Sequence, residues 1–217
     1  MLFVIWFAWY NMKGRQSGRL FYFEKAPGII YPVLIVLTLS LAMVLDPLTN
    51  LLPMPEKIEE LFALLSTKDI YTLLLVCILG PVLEELLFRG IILDGFLKRY
   101  KPAKAIFWSA FLFGLFHLNP WQFIPGFLIG ILLAWIYFKT RSLIPVILVH
   151  LVNNSLSYFV IYIYGEDIKS FRDLFTEAAD YRIFLLFASM LTLLGLVLLY
   201  RMLKPFNPFQ IINHKME

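Results

Sequence analysis

Residues 81–89 read Pro-Val-Leu-Glu-Glu-Leu-Leu-Phe-Arg and lie inside a largely apolar stretch that extends from residue 70 to residue 97. A helix of about 28 residues at 1.5 Å each is roughly 42 Å long, and the hydrocarbon core of a bilayer is only about 30 Å thick. We therefore predict a membrane-spanning helix that tilts or projects from the bilayer. Pro81 removes one helix hydrogen bond, so we expect a kink just before Glu84.

The remainder of the chain is also apolar. Of its 217 residues, 60% are hydrophobic and 16% are charged, whereas soluble domains have roughly 45–50% apolar and about 25% charged residues. This excess is gathered into long runs, which predicts one all-α membrane domain over residues 1–217, a polytopic bundle of six to seven transmembrane helices. The first run is rich in aromatic residues but too short to cross a bilayer unaided. The candidate spans are 1–11, 29–45, 70–97, 104–118, 121–138, 143–164 and 183–203.

The charges of the connections indicate orientation. One set of alternate loops carries 13 basic residues and the opposite set carries five, with Arg89 left inside a span. This asymmetry predicts seven crossings of a cell membrane with a cytoplasmic C-terminus. The net charge of +4 is therefore interpreted as contact with anionic lipid and not as nucleic-acid binding. Cys77 is the one cysteine, which excludes an intrachain disulfide and a Cys/His zinc knuckle.

Several spans contain ionisable residues. Each costs at least about 2.5–3.5 kcal/mol at the bilayer centre, so a group of them requires mutual pairing or a function. Glu85 and Arg89 are four residues apart and share a helix face, which predicts an ion pair. Glu84 is turned about 100° from Glu85 and has no cation on its own face. It is therefore a candidate general base or acid.

Two later spans each place a histidine one helical turn from a second residue of interest. Phe113 and His117 share a face, and Gly114 between them allows a neighbouring helix to approach closely. His150 and Asn154 form a polar pair directed at one point, whereas the adjacent Asn153 points away and is interpreted as a packing amide. Each histidine by itself is more typical of a structural hydrogen bond between helices than of a catalyst.

The combination indicates chemistry. A carboxylate and two imidazoles, those of Glu84, His117 and His150, can bind and deprotonate a water molecule, or hold a metal ion that does so. Asn154 and a protonated histidine can donate hydrogen bonds to an oxyanion. In the structural alternative, the same groups only hold helices together.

Together the three motifs resemble the CAAX-protease and bacteriocin-processing family (CPBP, also called Abi). Its pattern is E-E-x-x-x-R, then F-x-x-x-H, then H-x-x-x-N or H-x-x-x-D. The resemblance covers about residues 70–160 and implies an all-helical intramembrane endopeptidase similar to CAAX prenyl protease 2. Eukaryotic members remove three residues from prenylated proteins, and bacterial members are linked to peptide maturation and bacteriocin immunity. The matching residues are Glu84, Glu85, Arg89, Phe113, His117, His150 and Asn154.

The resemblance implies a role for each motif. Glu84 would activate water with help from His117, and His150 with Asn154 would stabilise the oxyanion. Glu85, Arg89 and Phe113 would support the site, and the substrate would be a membrane-associated peptide or protein. A metal-free glutamate mechanism is favoured, because H-E-x-x-H is absent and asparagine is a poor zinc ligand. A zinc ion held by Glu84, His117 and His150 is the alternative.

Two other functions are consistent with the sequence. The chain can be a non-catalytic membrane scaffold or bacteriocin-immunity protein, or a transporter that uses Glu84 and the histidines as a proton relay. The protease hypothesis requires residues 84, 117 and 150 to converge. The charge pattern places Glu84 and His150 in the cytoplasmic half of their spans but His117 near the outer end of a short one, unless Asn119 and Pro120 mark a helix that stops inside the bundle.

Overall fold

The computed structural model describes residues 6, 21–24, 26–49, 53–58, 68–164, 168 and 170–206. Within these ranges the chain is mainly helical, with one isolated antiparallel bridge between Phe23 and Ser142. A short 3₁₀ turn, Phe171–Leu174, precedes the last helix. The main helices in chain order are α1 Ile30–Thr49, α2 Ile70–Leu97, α3 Pro102–Phe116, α4 Pro120–Thr140, α5 Leu143–Tyr164 and α6 Ala178–Leu203.

The helices agree with the predicted spans. All of them except α3 are long and apolar enough to cross a membrane, and each predicted span from residue 29 onward coincides with one helix. The prediction of an all-α polytopic membrane bundle is confirmed. The predicted span over residues 1–11 lies outside the described residues except for Trp6. The seven crossings, the cytoplasmic C-terminus and the single domain over 1–217 therefore stay predictions.

Helix α2 is not uniform along its length. Asp69 caps its N-terminus, and two of its stretches are π-helical, Leu75–Leu79 and Leu86–Leu93. Between them lies the α-helical segment Gly80–Glu85. The disturbance expected at Pro81 takes the form of the π-helical turn directly before it, since a proline cannot continue the normal hydrogen-bond ladder. The two glutamates thus lie between two widened turns.

Helices α3 and α4 cross closely through small residues. A Cβ atom on Gly114 would lie 2.9 Å from the carbonyl oxygen of Phe123, and a Cβ atom on Gly130 would lie 3.2 Å from Cα of Ala110. Neither side chain would fit without moving backbone. The close approach predicted at Gly114 is confirmed, and it allows the short α3 to pack against α4 along its length.

The main hydrophobic core lies where α1, α4, α5 and α6 meet. Leu37, Leu133 and Leu199 are fully buried there, and Val149 is almost so. Val149 directly precedes His150, so the packing that buries the core also fixes the position of that histidine on α5. The core therefore holds α5 in register beside the other helices of the site.

A buried ion pair joins α2 to the connection between α4 and α5. Arg141 is one of the 13 basic residues assigned to loops from the sequence. It is only 4% exposed and forms a salt bridge with Asp94 of α2. Lys98 Nζ lies 3.0 Å from the other carboxylate oxygen of Asp94, and the Arg141 guanidinium packs over the ring of Tyr22. Arg141 adopts a left-handed conformation with φ of 48°. Such a backbone persists because the pair and the ring hold it.

Candidate active site

Glu85, Arg89 and His150 form a buried polar cluster between α2 and α5. Arg89 Nη1 donates to Glu85 Oε1 at 2.9 Å, so the ion pair predicted from their spacing is present. His150 Nδ1 lies 2.8 Å from the same oxygen. Glu85 and Arg89 are 0% exposed and His150 is 4% exposed. A carboxylate accepts hydrogen bonds only, so Nδ1 of His150 carries the proton and the ring presents Nε2.

Arg89 extends the cluster to α3 and α4. Its Nη2 atom donates to the carbonyl oxygen of Gly130 at 3.3 Å, and its guanidinium lies 4.4 Å from the centroid of the Phe113 ring. The absence of a side chain on Gly130 keeps α3 and α4 in close contact at this carbonyl. Arg89 thus links α2 to two other helices besides holding Glu85.

Glu84 lies on a different side of α2 and keeps an unpaired oxygen. Its Oε2 atom is buried and has no hydrogen-bond partner among the described residues, although the side chain as a whole is 19% exposed. The nearest basic atom given by the structure is His150 Nε2, at 3.8 Å. This distance exceeds a hydrogen bond, but a single water molecule can bridge two groups so separated.

His117 is the residue at which α3 ends. Its Nδ1 atom lies 3.0 Å from the carbonyl oxygen of Phe113, so this nitrogen carries the proton and Nε2 is the acceptor in the neutral ring. The next residue, Leu118, turns the chain with φ of 57°. With 15 residues, α3 is about 22 Å long, shorter than a hydrocarbon core of about 30 Å. His117 is therefore at the end of a helix that stops short of a full crossing.

The ring of Phe113 brings the two histidines together. It contacts the His117 imidazole edge-to-face with centroids 5.2 Å apart, and the His150 imidazole in the same manner at 5.5 Å. Glu84 interacts electrostatically with both histidines. The two histidines thus contact one aromatic ring, and Glu84 lies 3.8 Å from one of them, His150. That all three groups meet around one water molecule stays a prediction.

Asn154 contacts α2 one turn farther along α5. Its Nδ2 atom donates to the carbonyl oxygen of Val76 at 3.1 Å, and its Oδ1 atom accepts from Asn153 Nδ2 at 3.3 Å. The pair on α5 was predicted to be directed at one point, but it contacts α2 at two separate points, since His150 binds Glu85 and Asn154 binds Val76. Asn153, interpreted from the sequence as an unrelated packing amide, contacts the Asn154 side chain directly.

Part of the chain is similar to a known protein family. Residues 66–156 match the family described as type II CAAX prenyl endopeptidase, Rce1-like. Over these residues the chain is similar to the CAAX-protease family. The matched segment is less than half of the chain, and it contains all three motifs together with the contacts described above. No curated protein and no solved structure matches the chain. This similarity supports a CAAX-type protease in general, and the apolar helices support a multi-pass membrane protein.

The CAAX-protease match does not decide between a metal-free and a metal-dependent reaction. Within the described residues, no group of three or more His, Cys, Asp or Glu side chains is arranged to hold a metal ion. Glu84 and His150 are close together, whereas His117 reaches them across the Phe113 ring. The metal-free mechanism and the zinc alternative stay predictions that need a chelator experiment.

Two glycines of α4 were not predicted from the sequence as part of the site. Gly130 supplies the carbonyl that Arg89 binds, and Gly126 lies beneath His117, whose ring atoms would be 3.6 Å from an added Cβ. Their spacing, Gly-x-x-x-Gly, is a known signature of close helix contact in membranes. That signal was available in the sequence and identifies α4 as the partner of α3.

Proposed function

We propose that the chain hydrolyses a peptide bond of a membrane-associated peptide or protein, with Glu84 as the general base that activates water. One observation carries the proposal. Glu84 Oε2 is buried, has no hydrogen-bond partner among the described residues and lies 3.8 Å from His150 Nε2. An unpaired acceptor buried in a membrane protein is costly, and such groups are typically retained for chemistry.

The neighbouring Glu85 differs in a way that supports this assignment. One of its oxygens also lacks a partner among the described residues, but the other accepts two hydrogen bonds, from Arg89 and from His150. Glu85 is therefore committed to holding helices, as the resemblance implies. Glu84 lies about 100° around the helix from Glu85 and is partly exposed. It is therefore the carboxylate that can contact a substrate.

The reaction proceeds by addition and elimination. Glu84 takes a proton from water with help from His117, and the water oxygen bonds to the carbonyl carbon of the scissile peptide. The resulting oxyanion accepts hydrogen bonds from Asn154 Nδ2 and from Nε2 of His150, which takes part as the imidazolium, with a proton on each ring nitrogen before water adds and after the bond breaks. When the carbon–nitrogen bond breaks, the proton held by Glu84 passes to the departing amine. Glu85 keeps the His150 ring oriented, much as a buried carboxylate orients a catalytic histidine in serine hydrolases.

Specific contacts also favour a non-catalytic scaffold. Glu85, Arg89, His150 and Asn154 all bond to a second helix, with His150 linking α5 to α2 and Arg89 linking α2 to α4. A protein that needs only a locked bundle can use the same contacts. The discriminating group is Glu84, because its unpaired oxygen adds nothing to the locking of helices.

The test compares purified protein variants in liposomes. The first assay uses two substrates, a CAAX peptide with a prenylated cysteine and the same peptide without the prenyl group. A second assay labels the new N-termini that cleavage produces in membranes that contain the chain. Glu84→Gln, His117→Ala and His150→Ala should each lower kcat by about 10²–10⁴-fold. The exposed Glu56→Gln is the matched control and should retain full activity.

The outcomes separate the candidates. Full activity of all three site variants, or labelled N-termini that do not differ between wild type and Glu84→Gln, overturns the protease proposal. A scaffold predicts that the variants lose stability and that partner binding or immunity falls only in proportion to the amount of protein. Activity that survives a chelator supports the glutamate mechanism, and activity that is lost with chelator and restored by zinc supports the metal alternative.

A further inference from the structure

The backbone carbonyl of Val76 in α2 lacks a hydrogen-bond donor from its own π-helical turn. In the π-helical turn Leu75–Leu79, the N–H of Gly80 donates to the carbonyl of Leu75, five residues earlier. In the same register the carbonyl of Val76 would accept from the N–H of residue 81. That residue is Pro81, which has no N–H. The helix therefore offers no donor in that register to the Val76 carbonyl, and an unpaired carbonyl inside a membrane protein is unfavourable.

Asn154 supplies the missing donor. Its Nδ2 atom bonds to the Val76 carbonyl at 3.1 Å, and the adjacent Cys77 approaches the Asn154 backbone carbonyl with Sγ at 3.9 Å. Because a carbonyl oxygen only accepts, the nitrogen of the amide must face α2. The amide oxygen then faces away from Val76 and accepts from Asn153 Nδ2 at 3.3 Å. Both ends of the Asn154 side chain are thus fixed, with one orientation of the amide satisfying both contacts.

We infer that Pro81 and Asn153 are positioning residues that hold the Asn154 amide ready to bind the oxyanion. The amide nitrogen carries two hydrogens, and the Val76 carbonyl takes one of them. The second hydrogen lies in the plane of the amide group, and the two contacts fix the orientation of that plane before any substrate binds. This inference rests on the proposed function, in which Asn154 is an oxyanion donor. A donor that is already oriented stabilises the transition state without reorganising during the reaction.

The same contact also sets the spacing of the reacting groups. Pro81 precedes Glu84 by three residues on α2, and Asn154 follows His150 by one turn on α5. The bond from Asn154 to Val76 therefore joins α2 and α5 at a point about two helical turns before Glu84 on α2 and one turn after His150 on α5. A substitution that releases the bond should shift the Asn154 donor, and misplacement of about 1 Å can cost about 10²-fold in rate.

The experiment is a double-mutant cycle on kcat. Pro81→Ala restores an N–H that can bond to Val76, which releases the Asn154 amide, and Asn153→Ala removes the contact at the amide oxygen. Each should lower kcat about tenfold and leave KM within about twofold, because the oxyanion forms only in the transition state. In an Asn154→Ala background, Pro81→Ala should have almost no further effect, since its influence passes through Asn154.

A control and a second measurement accompany the cycle. Pro47→Ala replaces a proline inside α1, away from the site, and should leave kcat unchanged. The side-chain ¹⁵N resonance of Asn154, identified by its loss in Asn154→Ala, should shift in Pro81→Ala and in Asn153→Ala but not in Pro47→Ala. This resonance reports the contact whether or not a substrate is hydrolysed.

The results distinguish the inference from the function on which it rests. If Asn154→Ala retains kcat, or if wild type and Glu84→Gln hydrolyse nothing, the proposed function fails. If Asn154→Ala loses 10²–10³-fold, as expected for an oxyanion donor, while Pro81→Ala and Asn153→Ala keep full kcat, only the positioning inference is overturned. Equal effects of Pro81→Ala with and without Asn154 also overturn it, since they indicate a general loss of structure.

Discussion

Substitution of two glycines in the crossing of α3 and α4 tests the packing that brings His117 to the site. A Cβ atom on Gly114 would lie 2.9 Å from the Phe123 carbonyl oxygen and 3.2 Å from the Phe127 backbone nitrogen. Both are backbone atoms, so the helices must separate to admit it. A Cβ atom on Gly126 meets its nearest atoms, in the His117 ring, at 3.6 Å, which is ordinary van der Waals contact.

The two glycines form a matched pair. Both Gly→Ala changes lie within helices, so each gains the same helix propensity, about 0.5–1 kcal/mol, and this gain cancels in the comparison. What remains is the overpacking cost at Gly114, typically about 1–3 kcal/mol. For chains of 150–250 residues, each kcal/mol shifts Tm by about 2–4 °C. Gly114→Ala should therefore unfold about 2–12 °C below Gly126→Ala.

The assay is thermal unfolding of the purified variants in the same detergent, followed by intrinsic tryptophan fluorescence. Protease activity is measured in parallel at a temperature where both variants are folded. We expect Gly114→Ala to lose activity as well, because its displacement of α3 carries Phe113 and His117 with it. Equal melting temperatures for the two variants would refute the close crossing, and a lower Tm for Gly126→Ala would reverse the assignment of the tight contact.

Two further predictions concern stability. Arg89→Met leaves the buried Glu85 carboxylate without its guanidinium partner and should cost about 3–5 kcal/mol, measured by denaturant titration in mixed micelles. The exposed Arg99→Met is its control and should lie within about 0.5 kcal/mol of wild type; a similar loss in both would contradict the buried pair. Leu118→Gly should stabilise the protein by about 1 kcal/mol, because Leu118 has φ of 57° and a side chain 89% exposed, and glycine adopts this conformation without strain. Leu118→Ala removes the same side chain but keeps the strain, so a gain in Tm for the alanine variant would count against this explanation.

The fold was predictable because the bilayer restricts it. Each apolar run long enough to span must be a helix, since every backbone polar group has to be bonded within the segment. The helix boundaries follow from local signals such as Asp69 at the start of α2 and Asn119 at the start of α4, both of which accept hydrogen bonds from the first turn. The π-helical turns of α2 were not predicted, because periodicity assumes a constant 3.6 residues per turn.

The sequence indicated which residues form the candidate site, but it indicated few of the contacts between them. Spacing within one helix indicated the Glu85–Arg89 pair, since residues at i and i+4 are neighbours on that helix. Spacing carries no information about which helices are adjacent. The bonds from His150 to Glu85, from Asn154 to Val76 and from Arg89 to Gly130 therefore appear only in three dimensions. The left-handed Arg141 and its burial against Asp94 escaped prediction for the same reason.

The consecutive glutamates illustrate how environment separates two chemically identical residues. On an α-helical segment they are about 100° apart, so Glu85 points inward to Arg89 while Glu84 lies beside His150 Nε2 of α5. A guanidinium and an imidazole satisfy Glu85, whereas Glu84 has only the Nε2 atom of His150 within 4 Å as an ion-pair partner among the described residues. Pairs of acids in different surroundings commonly divide structural and catalytic work in this way. His150 lies close to both carboxylates, so the bond from Glu85 to its Nδ1 atom also fixes where Nε2 lies relative to Glu84.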